Sequence, residues 1–146
     1  MSLVQELEAF IQDGYRQLLY IEAMEAHDYQ SSGLATVLIV DDDGPTLELY
    51  ASALRQSYRV ITCSTWQDAI EILAAHEPQI VVLEPSLAGH RAWELLQDIT
   101  RTYAVSVIIC SSLDERRYGL EAGAVAYLVK PVLPSTLLET LKSILS

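Results

Sequence analysis

The sequence predicts an α/β fold in which helices cover both faces of a central parallel sheet. Five short runs rich in β-branched residues lie between residues 36 and 129, and a stretch with helical spacing follows each run. Strands that alternate with helices in this way form βαβ units. Three of the runs are apolar on consecutive residues, which is typical of parallel strands buried on both faces.

The predicted strands are TVLIV (36–40), YRVIT (58–62), QIVVL (79–83), VSVIIC (105–110) and AYLV (126–129). Helices are predicted at residues 45–57, 65–76, 91–100, 114–123 and 134–145. In the first helix Leu47, Tyr50, Ala51 and Leu54 share one face, as expected of a helix that packs on a sheet. This order of elements predicts a flavodoxin-like, doubly wound (βα)5 three-layer sandwich with strand order 2-1-3-4-5.

The first 33 residues differ in character from the predicted domain at residues 34–146. Apolar residues recur with helical spacing from Leu3 to Ile21, and the segment ends at a Ser-Ser-Gly breaker. We therefore predict an N-terminal helical extension or linker over residues 1–33. Its apolar stripe allows two interpretations, because it can pack on the sheet domain or form a homodimer through a coiled coil.

Composition narrows the classes of partner. The chain has 146 residues, a formal net charge of -11 and 9 lysines and arginines, so we expect neither nucleic acid nor an acidic membrane as a partner. No apolar run reaches the roughly 18 residues of a membrane span and no signal peptide opens the chain, so we expect a cytoplasmic protein. Cys63 and Cys110 have no neighbouring ligand pattern and are predicted to be reduced thiols.

Polar residues follow four of the predicted strands. Because ligands of doubly wound sheets bind at the carboxyl ends of the strands, these residues are candidates for one site. They are Asp41, Asp42 and Asp43 after the first strand, Glu84 after the third, Ser111 and Ser112 after the fourth, and Lys130 after the fifth. Singly, each has a structural explanation as a helix cap, a loop hydroxyl or a surface charge.

Together, these residue types suit phosphoryl transfer to a carboxylate. Paired carboxylates are the oxygen ligands that Mg²⁺ prefers, and a third carboxylate can attack phosphorus. A hydroxyl and an ammonium group can then stabilise the charge on the phosphoryl oxygens. The sequence thus predicts an acidic pocket with a hydroxyl and a lysine at this edge of the sheet.

Four stretches of the sequence resemble the receiver domain of bacterial two-component response regulators over about residues 36 to 145. They are VLIVDDDGPTLELYASAL, EPQIVVLEPSLAG, VIICSS and GLEAGAVAYLVKP. The resemblance implies the following site: Asp41 and Asp42 as metal-binding acids, the carbonyl of Ser86 as a further metal ligand, Ser111 as the phosphate-contacting hydroxyl, Tyr127 as the aromatic switch residue and Lys130 as the conserved-type lysine.

The sequence departs from this family at the phosphate-accepting position. Where the family has an aspartate, this chain has Glu84, and the extra methylene moves the carboxylate about 1.5 Å further into the pocket. Misplacement near 1 Å can cost on the order of 10²-fold in rate, so phosphorylation is predicted to be lost or very slow. The loop PSLAGHRA is also atypical, and the stretch between Ser111 and Lys130 is shorter than usual. These changes weaken the expectation of dimerisation across the fourth helix.

These observations favour a receiver-like signalling module, or pseudo-receiver, with a degenerate Asp-to-Glu phosphorylation site. Such a module acts through protein contact, is not an enzyme and binds Mg²⁺ weakly or not at all. Its expected partners are a histidine kinase or an output domain. Two alternatives remain: a receiver that accepts a phosphoryl group, and a small Mg²⁺-dependent phosphohydrolase with Asp41 as nucleophile.

Overall fold

The five predicted strands form one parallel sheet in the computed structural model, which describes residues 2–5 and 33–146. The strand order is β2-β1-β3-β4-β5, so the predicted doubly wound topology is confirmed. The strands are β1 Thr36–Val40, β2 Arg59–Cys63, β3 Ile80–Leu83, β4 Ser106–Ser111 and β5 Ala126–Val129. Ser111, predicted to follow the fourth strand, is instead its last residue.

Helices connect the strands at nearly the predicted positions. They are α1 Gly44–Leu54, α2 Trp66–His76, α3 Ala92–Thr102, α4 Arg116–Glu121 and α5 Pro134–Leu145. The first helix ends before the predicted residue 57, because the N–H groups of Ser57 and Tyr58 both bond to the carbonyl of Leu54 and turn the chain toward β2. A 3-10 helix, Pro85–Arg91, replaces the predicted loop after β3, with a kink at Gly89, where φ is 59°.

The sheet separates two apolar clusters, which give the fold its three layers. Alternate strand residues face opposite sides, as the pleat of a strand requires. Val37 and Ile39 pack with Tyr50 of α1 and Leu137 of α5 in one cluster. The other cluster contains Leu38 and Val40 together with buried residues of α2 and α3: Trp66, Ala69, Ile70, Ile72, Leu73, Leu95, Leu96 and Ile99.

Asp43 caps the helix that follows β1. Its side chain accepts a hydrogen bond from the N–H of Thr46 at 3.0 Å, and Pro45 occupies the first turn. The hydroxyl and N–H of Thr46 together lower the pKa of Asp43 from its usual value. The capping explanation that the sequence allowed for the acidic triplet therefore applies to Asp43, and it leaves Asp41 and Asp42 to be explained separately.

Only the first few residues of the predicted extension are described, and residues 3–5 are helical. Residues 6–32, on which the prediction of an extension mainly rests, lie outside the described part of the chain. Within the described residues, no helix combines the length and the apolar character needed to cross a membrane. His76 is the last residue of α2 and is buried.

Candidate functional site

Three of the predicted site residues meet at the carboxyl edge of the sheet. Asp41 directly follows β1, Glu84 follows β3 and Lys130 follows β5. Because the strands are parallel, their carboxyl ends share one edge, and the long lysine side chain reaches across it. Its Nζ lies 2.8 Å from Asp41 Oδ2 and 3.3 Å from Glu84 Oε1. One ammonium group therefore bridges two carboxylates from neighbouring strands.

The two carboxylates are removed from solvent. Asp41 is 4% exposed and Glu84 is 6% exposed, so each charge needs a partner inside the protein. Burial alone would lower the pKa of Lys130, but the hydrogen bond to Asp41 and the charges of Asp41 and Glu84 together raise it above its usual value. The lysine therefore remains an ammonium ion at neutral pH.

The remaining oxygens of both acids are bound by the backbone of the turn that follows each strand. Asp41 Oδ1 accepts a hydrogen bond from the N–H of Asp43 at 2.9 Å. Glu84 Oε2 accepts one from the N–H of Ser86 at 3.2 Å, and Glu84 also caps the 3-10 helix. Each acid thus has one oxygen on Lys130 and the other on a backbone N–H group two residues ahead, which fixes both side chains.

Other predicted site residues lie near this cluster without joining it. Asp42 and Ser86 are exposed at the rim. Ser111 is buried at the end of β4, and its Oγ accepts a hydrogen bond from the N–H of Leu113 at 3.2 Å. The sequence suggested that Glu84 could reach either Lys130 or Ser111, and in the structure it contacts Lys130.

A magnesium ion does not fit this arrangement of side chains. The Lys130 ammonium occupies the space between the two buried acids, and both oxygens of Asp41 are already bound. Among residues 2–5 and 33–146, no group of three or more Asp, Glu, His or Cys side chains is arranged to hold a metal. The carboxylate of Asp42 is exposed and would be the most accessible ligand, whereas those of Asp41 and Glu84 are held by Lys130.

Tyr127, the predicted switch residue, ties down the loop between β4 and α4. Its hydroxyl donates to the carbonyl of Leu113 at 2.6 Å and accepts from the N–H of Glu115 at 3.1 Å. The ring is buried and lies against α4 at Gly119, where an added Cβ would be 2.7 Å from Tyr127 Cδ2. A helix residue without a side chain is therefore what allows the ring to lie in this position.

Sequence reasoning missed the role of Tyr50. It was assigned to the buried face of α1, but its hydroxyl also donates to the carbonyl of Val132 at 3.1 Å and lies 3.8 Å from Cys110 Sγ. Burial raises the pKa values of both the Tyr50 phenol and the Cys110 thiol. Tyr50 thereby holds the connection between β5 and α5, which begins at Lys130. A tyrosine on an apolar helix face was the available signal, because a buried hydroxyl needs a partner.

A cavity of about 340 Å³ opens beside the cluster, between the 3-10 helix and the loop after β4. Its wall includes Ser86, Ser111, Trp93 and Leu113, but not the two buried acids or Lys130. The cavity is therefore lined by the exposed Ser86 and the buried Ser111, and the charged cluster does not form part of its wall.

Comparison with known proteins relates the chain to response regulators. The sequence matches the response regulator receiver domain family over residues 37–142. It is 34% identical over 99 residues to the transcriptional regulatory protein AfsQ1 of Streptomyces coelicolor, which covers 66% of this chain and 44% of that protein. It is 32% identical over 117 residues to the phosphate regulon transcriptional regulatory protein PhoB of Pseudomonas aeruginosa, which covers 75% of this chain and 51% of that protein. The chain spans about half the length of these curated relatives.

Solved structures share the same fold. The response regulator DrrB of Thermotoga maritima, an OmpR/PhoB homologue, superimposes with a TM-score of 0.68 at 32% identity, over 77% of this chain and 52% of that one. A CheY-like response regulator receiver domain protein of Methanospirillum hungatei gives a TM-score of 0.71 at 27% identity, over 77% and 94% of the two chains.

Proposed function

We propose that this chain, which belongs to the response regulator receiver domain family, is a two-component signalling module with a degenerate phosphorylation site. In this proposal the module works through protein contact and not through a cycle of phosphorylation. The observation that carries it is the contact between Lys130 and Glu84 at the position where the family resemblance places the phosphate-accepting aspartate.

The geometry of Glu84 supports this proposal. A nucleophilic carboxylate must present a free oxygen in line with the incoming phosphorus, and misplacement near 1 Å can cost on the order of 10²-fold in rate. Here one oxygen of Glu84 is bound to Lys130 and the other to the N–H of Ser86. These contacts fix the position of the longer acid, so its oxygens do not lie where the shorter aspartate of the family would place them.

The charge of the cluster supports weak or absent Mg²⁺ binding. Asp41 and Glu84 share the single positive charge of Lys130, and burial makes any rearrangement of these groups costly. We expect a dissociation constant for Mg²⁺ weaker than about millimolar, measured by calorimetry. Saturable binding at tens of micromolar, abolished by Asp42→Asn, would contradict this expectation and identify Asp42 as a metal ligand.

The partners that we propose are signalling proteins, either a histidine kinase or an output domain. Two curated relatives are named as transcriptional regulators, and this chain matches about half of their length. A cytoplasmic location and the lack of enzymatic activity are part of the same proposal. No site for a nucleic acid is proposed, because the formal net charge is -11.

The test is chemical labelling of the intact chain. The native protein, incubated with acetyl phosphate and Mg²⁺ and examined by intact-mass spectrometry, should carry no phosphoryl group. The variant Glu84→Asp shortens the acid while Asp41, Asp42, Ser111 and Lys130 remain, and it should gain a base-labile acyl phosphate. Glu84→Gln is the matched control, because it keeps the length but removes the nucleophile.

Each outcome of the labelling has a defined meaning. Robust labelling of the native protein at Glu84 would contradict the degenerate site and favour a receiver that accepts phosphate. If neither the native protein nor Glu84→Asp is labelled, the altered segment between Pro85 and Ala92 and the shortened fourth helix are also responsible for the loss of phosphorylation. Labelling of Glu84→Gln would place the modification on another residue.

A further inference from the structure

The start of the chain forms a helix cap within the described residues. The N–H of Gln5 donates to Ser2 Oγ at 3.1 Å, and the N–H of Ser2 donates to Gln5 Oε1 at 3.0 Å. This reciprocal pair is a capping box, with Ser2 as the residue before the first helical turn. It satisfies two of the four N–H groups that the start of a helix leaves without an acceptor inside the helix.

Asp98 of α3 satisfies the other two N–H groups. Its Oδ2 accepts hydrogen bonds from Leu3 N–H at 2.7 Å and from Val4 N–H at 3.3 Å, although the residues are more than ninety positions apart in sequence. Asp98 is 9% exposed, so its carboxylate needs these partners. Backbone N–H groups that point at a carboxylate stabilise its negative charge.

The side chains of the same segment insert into the apolar core. Val4 is 0% exposed and belongs to the cluster that contains Leu73 of α2 and Ile99 of α3. Leu3 packs against this cluster at its edge. The contact therefore combines a charged anchor with buried apolar surface, and both parts lie on the α2 and α3 side of the sheet.

We propose that this side of the domain is an interaction surface for the chain's own N-terminal segment, with Asp98 as the residue that anchors it. The partner is residues 2–5, which the surface recognises as the start of a helix: two free N–H groups for the carboxylate and one valine for the apolar pocket. The contact runs within one chain, so the segment occupies the surface in cis. This inference does not depend on the state of Glu84, which lies at a different position.

The amide protons of Leu3 and Val4 provide a direct readout. N–H groups in the first turn have no acceptor within their own helix, so protection of these two from hydrogen exchange reports on Asp98. In the 146-residue chain, Asp98→Ala should lower their protection about tenfold or more, since hydrogen bonds to a charged acceptor are among the stronger ones. Amides of β1, β3 and β4 should keep their protection.

Two further variants make the test specific. Glu94→Ala removes an acid one turn earlier on α3, where the side chain is exposed and paired with Arg91, and it should leave Leu3 and Val4 protected. Val4→Ser removes the apolar contact while leaving Asp98 in place, and it should reduce the protection of Leu3 as Asp98→Ala does. It serves as a second route if Asp98→Ala destabilises the whole domain.

Three results would overturn the proposal. Unchanged protection of Leu3 and Val4 in both Asp98→Ala and Val4→Ser would show that the contact is absent in solution. An equal loss of amide protection in Glu94→Ala would show that the effect of Asp98→Ala comes from general destabilisation of α3. Loss of protection on dilution of the native protein would show that the segment of a second copy binds the surface in trans. Protection that is independent of concentration supports binding in cis.

Discussion

Glu84 and Asp98 are both buried carboxylates, but they are stabilised by different kinds of partner. Glu84 lies 3.3 Å from the ammonium of Lys130, which it shares with Asp41. Asp98 accepts hydrogen bonds from two backbone N–H groups at the start of a helical segment. Glu84 also accepts a hydrogen bond from the N–H of Ser86, but its charge is balanced by one side chain, whereas Asp98 depends on the position of a segment of chain.

This difference shows how each site can be changed. A lysine titrates and can be replaced by one substitution. The cluster at Glu84 should therefore respond to alkaline pH and to substitution of Lys130. Backbone N–H groups do not titrate, and a substitution cannot remove them except by proline. The contact at Asp98 should instead respond to changes that undock or unwind residues 2–5.

The largest effect is expected from removal of the shared cation. Lys130→Met leaves Asp41 and Glu84 buried without their common positive partner, which should lower the free energy of unfolding by about 3 kcal/mol. Urea denaturation of the full chain measures this change. Lys142→Met, on the exposed side of α5, is the matched control and should change stability by less than about 0.5 kcal/mol. Equal effects of the two substitutions would contradict the role assigned to Lys130.

A smaller effect is expected at alkaline pH. The folded-state pKa of Lys130 is raised, so its stabilising contribution is fully present below the unfolded-state value near 10.4 and is lost as pH rises through the higher folded-state value. The urea midpoint should therefore fall above about pH 10.5. In Lys130→Arg, where the side chain stays charged, this decline should be shallower.

Ionisation of Tyr50 does not affect the comparison between the native protein and Lys130→Arg. Burial raises the pKa of its phenol, so its ionisation in the unfolded chain also lowers stability as pH rises through about 10. That contribution is present with either residue at position 130. Identical pH profiles for the native protein and Lys130→Arg would mean that Lys130 does not carry the effect.

The smallest effect is expected at the capping box beside Asp98. Ser2→Ala removes one half of the box and should lower the free energy of local opening by about 1 kcal/mol. Hydrogen exchange of the Gln5 amide should therefore quicken, while the urea midpoint of the domain stays the same. Ser143→Ala, at an exposed position of α5, is the control and should leave that amide unchanged. A loss of domain stability in Ser2→Ala would mean that the segment is part of the global folding unit.

The strands of the fold were predictable because their apolar runs are continuous and separated by helical stretches. The 3-10 helix at Pro85–Arg91 was not, since its sequence has no apolar periodicity and its start depends on the cap from Glu84. The sequence also predicted the end of α1 at residue 57, three residues beyond the observed end at Leu54. A tertiary turn toward β2 stops this helix at Leu54, although its sequence would permit a further turn.

The candidate site was predictable in part, since three of its predicted residues meet and Asp42, Ser86 and Ser111 do not join them. Asp41, Glu84 and Lys130 each follow a parallel strand, and strand ends converge by topology. That one ammonium group serves both acids depends on side-chain distances, which sequence does not contain. The partner of Asp98 was harder to predict. Ser2 and Gln5 indicate the start of a helix but not which distant carboxylate that helix contacts.

The contact between Gly119 and Tyr127 implies that these two positions are constrained as a pair in any variation of the sequence. An alanine at position 119 would place its Cβ 2.7 Å from the tyrosine ring and 2.8 Å from Ile109 Cδ1, closer than atoms approach in folded proteins. A larger residue at this position of α4 therefore requires the tyrosine ring and the end of the Ile109 side chain to shift, or smaller residues in their place. Among natural variants of this domain, a side chain at position 119 should accompany a small residue at position 127.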